Sequence, residues 1–225
     1  MRPVTATVGP ILASVANNIA LSQTPAGAGA LTLNGSLVSS AAARLGSVPG
    51  AAQRVLITTA DTTHVFTVTG TTPTGAVISE TVGPITSSAH TAQDFYTVTS
   101  VTINGAATAA VTVGTAGIAS TPWARLDEWA LPHVAIQCVV TGTANYTVQS
   151  TQDDPNSTTD PVLPQNVTWL NSPDTNAVAA STSIQTGYGA LLAYAALVPL
   201  FVRATLNSGS GSVAMTVQQA GAVPY

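Results

Sequence analysis

The chain has 225 residues, of which only 6% are charged and 45% fall in the hydrophobic class. An ordinary globular domain carries about 25% charged residues, so this surface must be built from Thr, Ser, Asn, Gln and backbone. There is no lysine, the net charge is −4, and the five arginines (Arg2, Arg44, Arg54, Arg125 and Arg203) are scattered, which excludes the clustered basic footprint that nucleic acid requires.

In chain order, 1–30 mixes Val, Thr, Asn and Ser with Pro3 and Pro10. It reads either as an extended N-terminal arm that orders against a neighbouring subunit or as a first strand and loop. Asn34-Gly35 within LTLNGSL is a type I′ hairpin signal, because both residues tolerate positive φ. Ser39–Ala43 reads as a helical turn or an irregular link.

From Val55 to Gly114 short runs rich in Val, Thr and Ile alternate with Gly, Pro, Asn and Ser breaks. That is the pattern of consecutive strands. Strands are predicted over 54–59, 64–69, 76–82, 95–104 and 109–113. In the fourth, the apolar set changes parity between Val98 and the pair Val101 and Ile103. A one-residue slip flips every side chain, so a β-bulge is predicted near Thr99-Ser100.

A small-residue loop ends at Pro122, where a domain boundary is expected. The next stretch, PWARLDEWALP, reads as a helical turn or a connector. Beyond it, 134–141, 146–150, 166–170, 200–206 and 213–218 read as strands, with polar loops at 151–164 and 171–187. SVTINGAATAAVTVGTAG (100–117) echoes RATLNSGSGSVAMTVQQAG (203–221). The echo marks either duplicated domains or hairpin chemistry common to both. The predicted architecture is therefore all-β, with an arm (1–30) and two antiparallel β-sandwich-like domains (31–121 and 122–225).

No reaction centre is visible. His64, His90 and His133 are far apart and lack metal-ligand spacing. Asp153, Asp154 and Asp160 lie in a loop of turn-forming residues without EF-hand spacing. Asp127 and Glu128 are adjacent, so they do not face one another on a helix or a strand. No G-x-S-x-G elbow, phosphate-binding loop or dinucleotide fingerprint occurs. Cys138 is alone in an apolar run and reads as a small buried hydrophobe, compatible with a reducing compartment. Catalytic residues, metals and cofactors are expected to be absent, and the protein is expected not to be an enzyme. The apolar window 188–202 is shorter than the roughly 20 residues a spanning helix needs and contains Pro199, so no membrane partner is expected. Trp123, Trp129 and Trp169 read as core or interface anchors, or as stacking platforms for a sugar.

Three stretches resemble a type of tailed-bacteriophage virion protein. RVLITTADTTHVFTVTGTTPTGAVISETVGP with DFYTVTSVTINGAATAAVTVGTAG is similar to a β module of phage structural proteins; VAIQCVVTGTANYTVQSTQDDP and FVRATLNSGSGSVAMTVQQAG complete the likeness. The resemblance covers most of 54–221. It implies a virion component made in the host bacterial cytoplasm, with copies of itself and other virion proteins as partners. It carries over no functional residues. A tail or neck adaptor that seats fibres, a capsid decoration protein, and a carbohydrate- or receptor-binding module are the functions to separate.

Overall fold

The computed structural model describes residues 3–46, 52–127, 134–171, 178–180, 184–186 and 199–219. It is all-β, with four antiparallel sheets and, among the described residues, one 3-10 turn at Pro164–Asn166. The chain divides into two compact units, Pro10–Ala119 and Met1–Gly9 with Ser120–Tyr225. We call them the inserted unit and the split unit, from their order in the sequence.

The chain opens with β1 (Val4–Val8), which belongs to the split unit. The inserted unit follows as β2 (Val15–Gln23), β3 (Gly29–Ala30), β4 (Val38–Ser39), β5 (Ala42–Arg44), β6 (Val55–Thr58), β7 (Phe66–Thr71), β8 (Val77–Val82), β9 (Ser88–His90), β10 (Thr97–Ile103) and β11 (Val111–Thr115). One sheet runs β2-β11-β6-β9. The other runs β4-β5-β10-β7-β8, with β3 also on β10. Both sheets feed one apolar cluster: Ile19, Val55, Ile57, Val111 and Val113 from the first, Phe66, Val68, Val98, Val101 and Ile103 from the second. The alternation of β6 and β7 produces this directly, since every second side chain of a strand shares a face.

The split unit continues with β12 (Ala119–Ser120) at the junction, then β13 (Ala124–Arg125), β14 (Val134–Thr141), β15 (Ala144–Thr151), β16 (Leu170–Asn171), β17 (Val178–Ala180), β18 (Ile184–Thr186), β19 (Phe201–Ser208) and β20 (Ser212–Gln219). Its sheets are β1-β20-β14-β18 and β12-β19-β15-β16, with β13 on β19 and β17 on β15. Val134, Ile136, Cys138 and Val140 are buried along β14, as are Tyr146 and Val148 on β15 and Val213, Met215 and Val217 on β20.

The two units share one strand order. Strand for strand, β2-β11-β6-β9 matches β1-β20-β14-β18, and β10-β7-β8 matches β19-β15 with β16 and β17 sharing the edge. The registers agree as well. Ile57 faces Val113 where Ile136 faces Val217, and Phe66 faces Ile103 where Tyr146 faces Leu206. Three backbone hydrogen bonds recur: Leu31 N to Val101 O (2.8 Å) and Thr121 N to Ala204 O (2.8 Å); Leu45 N to Tyr96 O (2.9 Å) and Leu126 N to Leu200 O (2.8 Å); Tyr96 N to Thr71 O (2.7 Å) and Leu200 N to Thr151 O (2.9 Å). The echo in the sequence thus falls on equivalent strands. Neither member is a hairpin: β10 and β11, like β19 and β20, lie in different sheets.

Several expectations change. Residues 3–30 take the strand-and-loop alternative and not the extended arm: β1 pairs with β20 and β2 with β11. PWARLDEWALP forms no helical turn among its described residues; Ala124-Arg125 joins β19 as an edge strand. The strand expected over 166–170 is only Leu170–Asn171, because Pro164–Asn166 takes a 3-10 turn. The bulge near Thr99 is present, as a register shift between Val98 and Ser100 against β7.

Asn34-Gly35 is not a hairpin turn. Gly35 lies against β2, where a Cβ would come within 2.2 Å of the Asn18 carbonyl carbon. The tight turn instead links β4 to β5 through Ser40 (φ 53) and Ala41 (φ 66). An L-residue pays roughly 1 kcal/mol to sit there. Replacing Ala41 by Gly should therefore stabilise the protein, raising its urea midpoint without changing the slope of the transition. A lowered midpoint would show that the turn is not the one described.

Candidate functional site

A shared strand order makes the differences between the units informative. The β7–β8 connection is the short hairpin 72–76, closed by Thr72 N to Ala76 O at 2.9 Å and Gly75 N to Thr72 O at 3.0 Å. The equivalent connection in the split unit is the polar loop 152–169. An aromatic clasp at its end holds the loop to the sheet. Trp169 meets Trp123 edge-on with ring centroids 4.9 Å apart, and Trp123 meets Phe201 of β19 at 5.8 Å. The buried Arg203 guanidinium lies 3.9 Å from the Trp169 ring centroid. Its Nε donates to Gln149 Oε1 (3.0 Å), which also accepts from Thr205 Oγ1 (2.9 Å). Gln149 Nε2 donates to Asn171 Oδ1 (3.0 Å), tying β15 to β16.

The inserted unit lacks the central pair: register places Ser100 where the split unit has Arg203, and Thr69 where it has Gln149. Phe201, Arg203 and Gln149 were not identified from the sequence. The mismatch of Ser100 with Arg203 inside the echo was the available signal, since a large cation replaces a small hydroxyl on equivalent strands.

Of the three tryptophans, the structure brings Trp123 and Trp169 together, and Trp129 lies outside the described residues. Both described indoles are half-buried. One covers the other edge-on, and Arg203 takes a face of Trp169. They hold the loop in place, and their stacking capacity is spent largely inside the chain.

The acidic loop residues are occupied as caps. Asp153 Oδ2 accepts from Thr168 N (2.6 Å), closing the loop on itself, and Asp154 Oδ1 accepts from Asn156 N (2.8 Å). Arg125 Nη2 stands 3.9 Å from Asp154 Oδ2. Asp160 is exposed. No group of three His, Cys, Asp or Glu side chains able to hold a metal occurs among the described residues. No helix of the described residues is long and apolar enough to cross a membrane.

An ionisable cluster in the inserted unit centres on Asp61. Asp61 is fully buried, and it accepts from Thr63 N (2.9 Å), His64 N (3.1 Å), Thr108 N (2.9 Å) and the His64 ring at Nδ1 (2.9 Å). Burial alone would raise its pKa. The hydrogen bonds from Thr108, Thr63 and His64 outweigh burial and hold the carboxyl well below its ordinary 3.8. His90 Nδ1 lies 3.0 Å from Thr91 O. His133 is outside the described residues, as is Glu128 beside Asp127. Burial pushes the Cys138 thiol up to about 12, against the hydrogen bond from Tyr146.

No family model, no curated protein and no solved structure matches this chain.

Two predictions follow from these geometries. In a double-mutant cycle, W123A and W169A should each destabilise the split unit and show a coupling of about 0.5–1.5 kcal/mol, with protease cleavage appearing first within 152–169. Strict additivity would mean the rings do not support each other. Asp61 acts through a depressed pKa, so its contribution is complete above the unfolded value of about 3.9 and is lost as pH falls toward the folded one. The melting temperature of D61N should lie below that of the parent at pH 7, and the gap should close as the pH drops below about 4. A gap independent of pH would rule out the carboxylate as the cause.

Proposed function

We propose that this chain is a non-enzymatic structural component of a tailed-phage virion, made in the host cytoplasm, that assembles with copies of itself and with other virion proteins. The position we favour is an adaptor at the tail or neck that seats fibres. We read each unit as a β-sandwich. The observation that carries the proposal is the combination of two β units of shared strand order with a surface almost devoid of charge. Charge depletion marks surfaces buried against partners, and the mechanism is burial of neutral, shape-matched faces with β-augmentation at open strands. The resemblance of 54–221 to phage virion modules points the same way.

Capsid decoration is the second reading, because a neutral two-unit module suits it equally. A carbohydrate- or receptor-binding module is third: it needs exposed indole faces, and Trp123 and Trp169 are engaged with each other, Phe201 and Arg203.

Quantitative mass spectrometry of purified particles, scaled to the portal protein, tests the proposal. On the order of ten copies is expected for a neck or tail ring, and several hundred would transfer the protein to the head surface. Absence from the particle would remove the virion reading altogether.

A further inference from the structure

Edge strands with free N–H and C=O groups are templates for pairing, and proteins usually blunt them with cover, brevity or charge. Comparing the units shows one edge covered by its own chain and its counterpart met by none of the described residues. In the inserted unit, β2 is the edge strand beside β11. Residues 32–37 run antiparallel along its outer side: Gly35 N donates to Ile19 O (3.0 Å), Leu37 N to Asn18 O (2.9 Å), Leu21 N to Asn34 Oδ1 (2.8 Å) and Thr32 N to Gln23 Oε1 (2.9 Å). In the split unit the counterpart of β2 is β1, beside β20. The split unit passes from Ser120 to Asp127 without a counterpart of this covering segment, and among the described residues no strand or backbone hydrogen bond meets the outer side of β1.

The sequence of β1 is Val4-Thr5-Ala6-Thr7-Val8. It is a palindrome. Turned antiparallel on itself about Ala6, it sets Val4 against Val8, Thr5 against Thr7 and Ala6 against Ala6. No charge opposes a charge, and β-branched pairs are favourable across strands. Thr5 already makes such a pair with Thr216 on β20, hydroxyl to hydroxyl at 2.9 Å. Val4 is 42% exposed and would be covered. The other long edge, β8, is less suited. Glu80 turns inward there to accept from Ala92 N and Gln93 N, and Gln93 Nε2 donates to Ser79 O.

We propose that β1 is a docking edge for the β1 of a second copy of this chain, paired antiparallel about Ala6 and joining two sheets into one. The inference rests on the self-assembly in the reading above and names where it happens. Five residues a side bury less than the 1,200 Å² or so of a stable isolated interface, so the pairing acts with other contacts, and cross-linking is the fitting probe.

The register makes the test specific. Under mild oxidation the A6C variant should give a covalent dimer, because identical positions at the axis lie about 4.5–5.5 Å apart. T5C should give little, since Thr5 faces Thr7 of the second copy, but T5C mixed with T7C should give the heterodimer. Adding T5K to A6C should abolish the dimer band. The parent chain, which carries only the buried Cys138, is the control, and circular dichroism checks that each variant is folded. Equal cross-linking of A6C and T5C, or none by folded A6C, overturns the proposal. A dimer of A6C together with absence from particles would leave the edge pairing and remove the virion reading; the reverse result would do the opposite.

Discussion

The register of four strands in each unit is the constraint on which the rest depends. In the inserted unit, β6 and β11 pair in one sheet while β7 and β10 pair in the other. In the split unit β14 with β20 and β15 with β19 take the same places. A slip of one residue in any of these ladders would carry Ile57, Phe66, Ile136 or Tyr146 from the core to the opposite face. With so few charged residues, the outer face offers little penalty against such a slip. Specificity must come from the inside, where aromatic and branched aliphatic side chains meet in pairs: Phe66 with Ile103, Tyr146 with Leu206. An aromatic residue meets a branched aliphatic one at equivalent places in both units, as a register fixed by packing requires.

Where the units diverge, the departures have visible supports. The loop 152–169 replaces a five-residue hairpin connection, and a longer loop costs little closure entropy but must be held. Trp169, Trp123 and Arg203 do this on the sheet side, and Asp153 closes it through Thr168. In the inserted unit the additions lie before β6. There β2 departs from its regular ladder between Ala20 and Val15, and Asn18 fills the gap, with Oδ1 accepting from Thr115 N at 3.0 Å and Nδ2 donating to Thr115 Oγ1 at 2.9 Å. A buried amide that uses both ends replaces ladder bonds the irregular backbone cannot make.

The main strands were legible because period-two alternation is a local signal. β6, β7, β10, β14 and β20 all follow it, and even the bulge at Thr99 was visible as a change of parity. What alternation does not carry is the sheet a strand joins. Asn104-Gly105 and Asn207-Ser208 look like hairpin turns, yet each leads across to the opposite sheet. Asn34-Gly35 misled for a related reason: its glycine answers to the backbone of Asn18, distant in the chain, and not to a turn. Short edge strands such as β9 and β18 left no pattern, since three residues cannot show a period. Of the candidate aromatic site, the two described tryptophans were named from composition, but their partners Phe201, Arg203 and Gln149 are brought to them only by the pairing of β15 with β19.

A chain without lysine has to keep its sheets apart by other means. The edges of this fold show three. Most are short among the described residues: β9 and β18 have three residues, β4 and β16 two. One is covered by its own chain, as residues 32–37 lie along β2. One carries an inward charge, Glu80, whose carboxylate is consumed by the neighbouring turn. Each device works through geometry and leaves the surface neutral. A charged edge would repel unwanted partners and wanted ones alike, whereas cover and brevity can be withheld at a single place. In this fold an uncharged surface and guarded edges therefore belong together, because cover, brevity and an inward carboxylate do what surface charge would otherwise do.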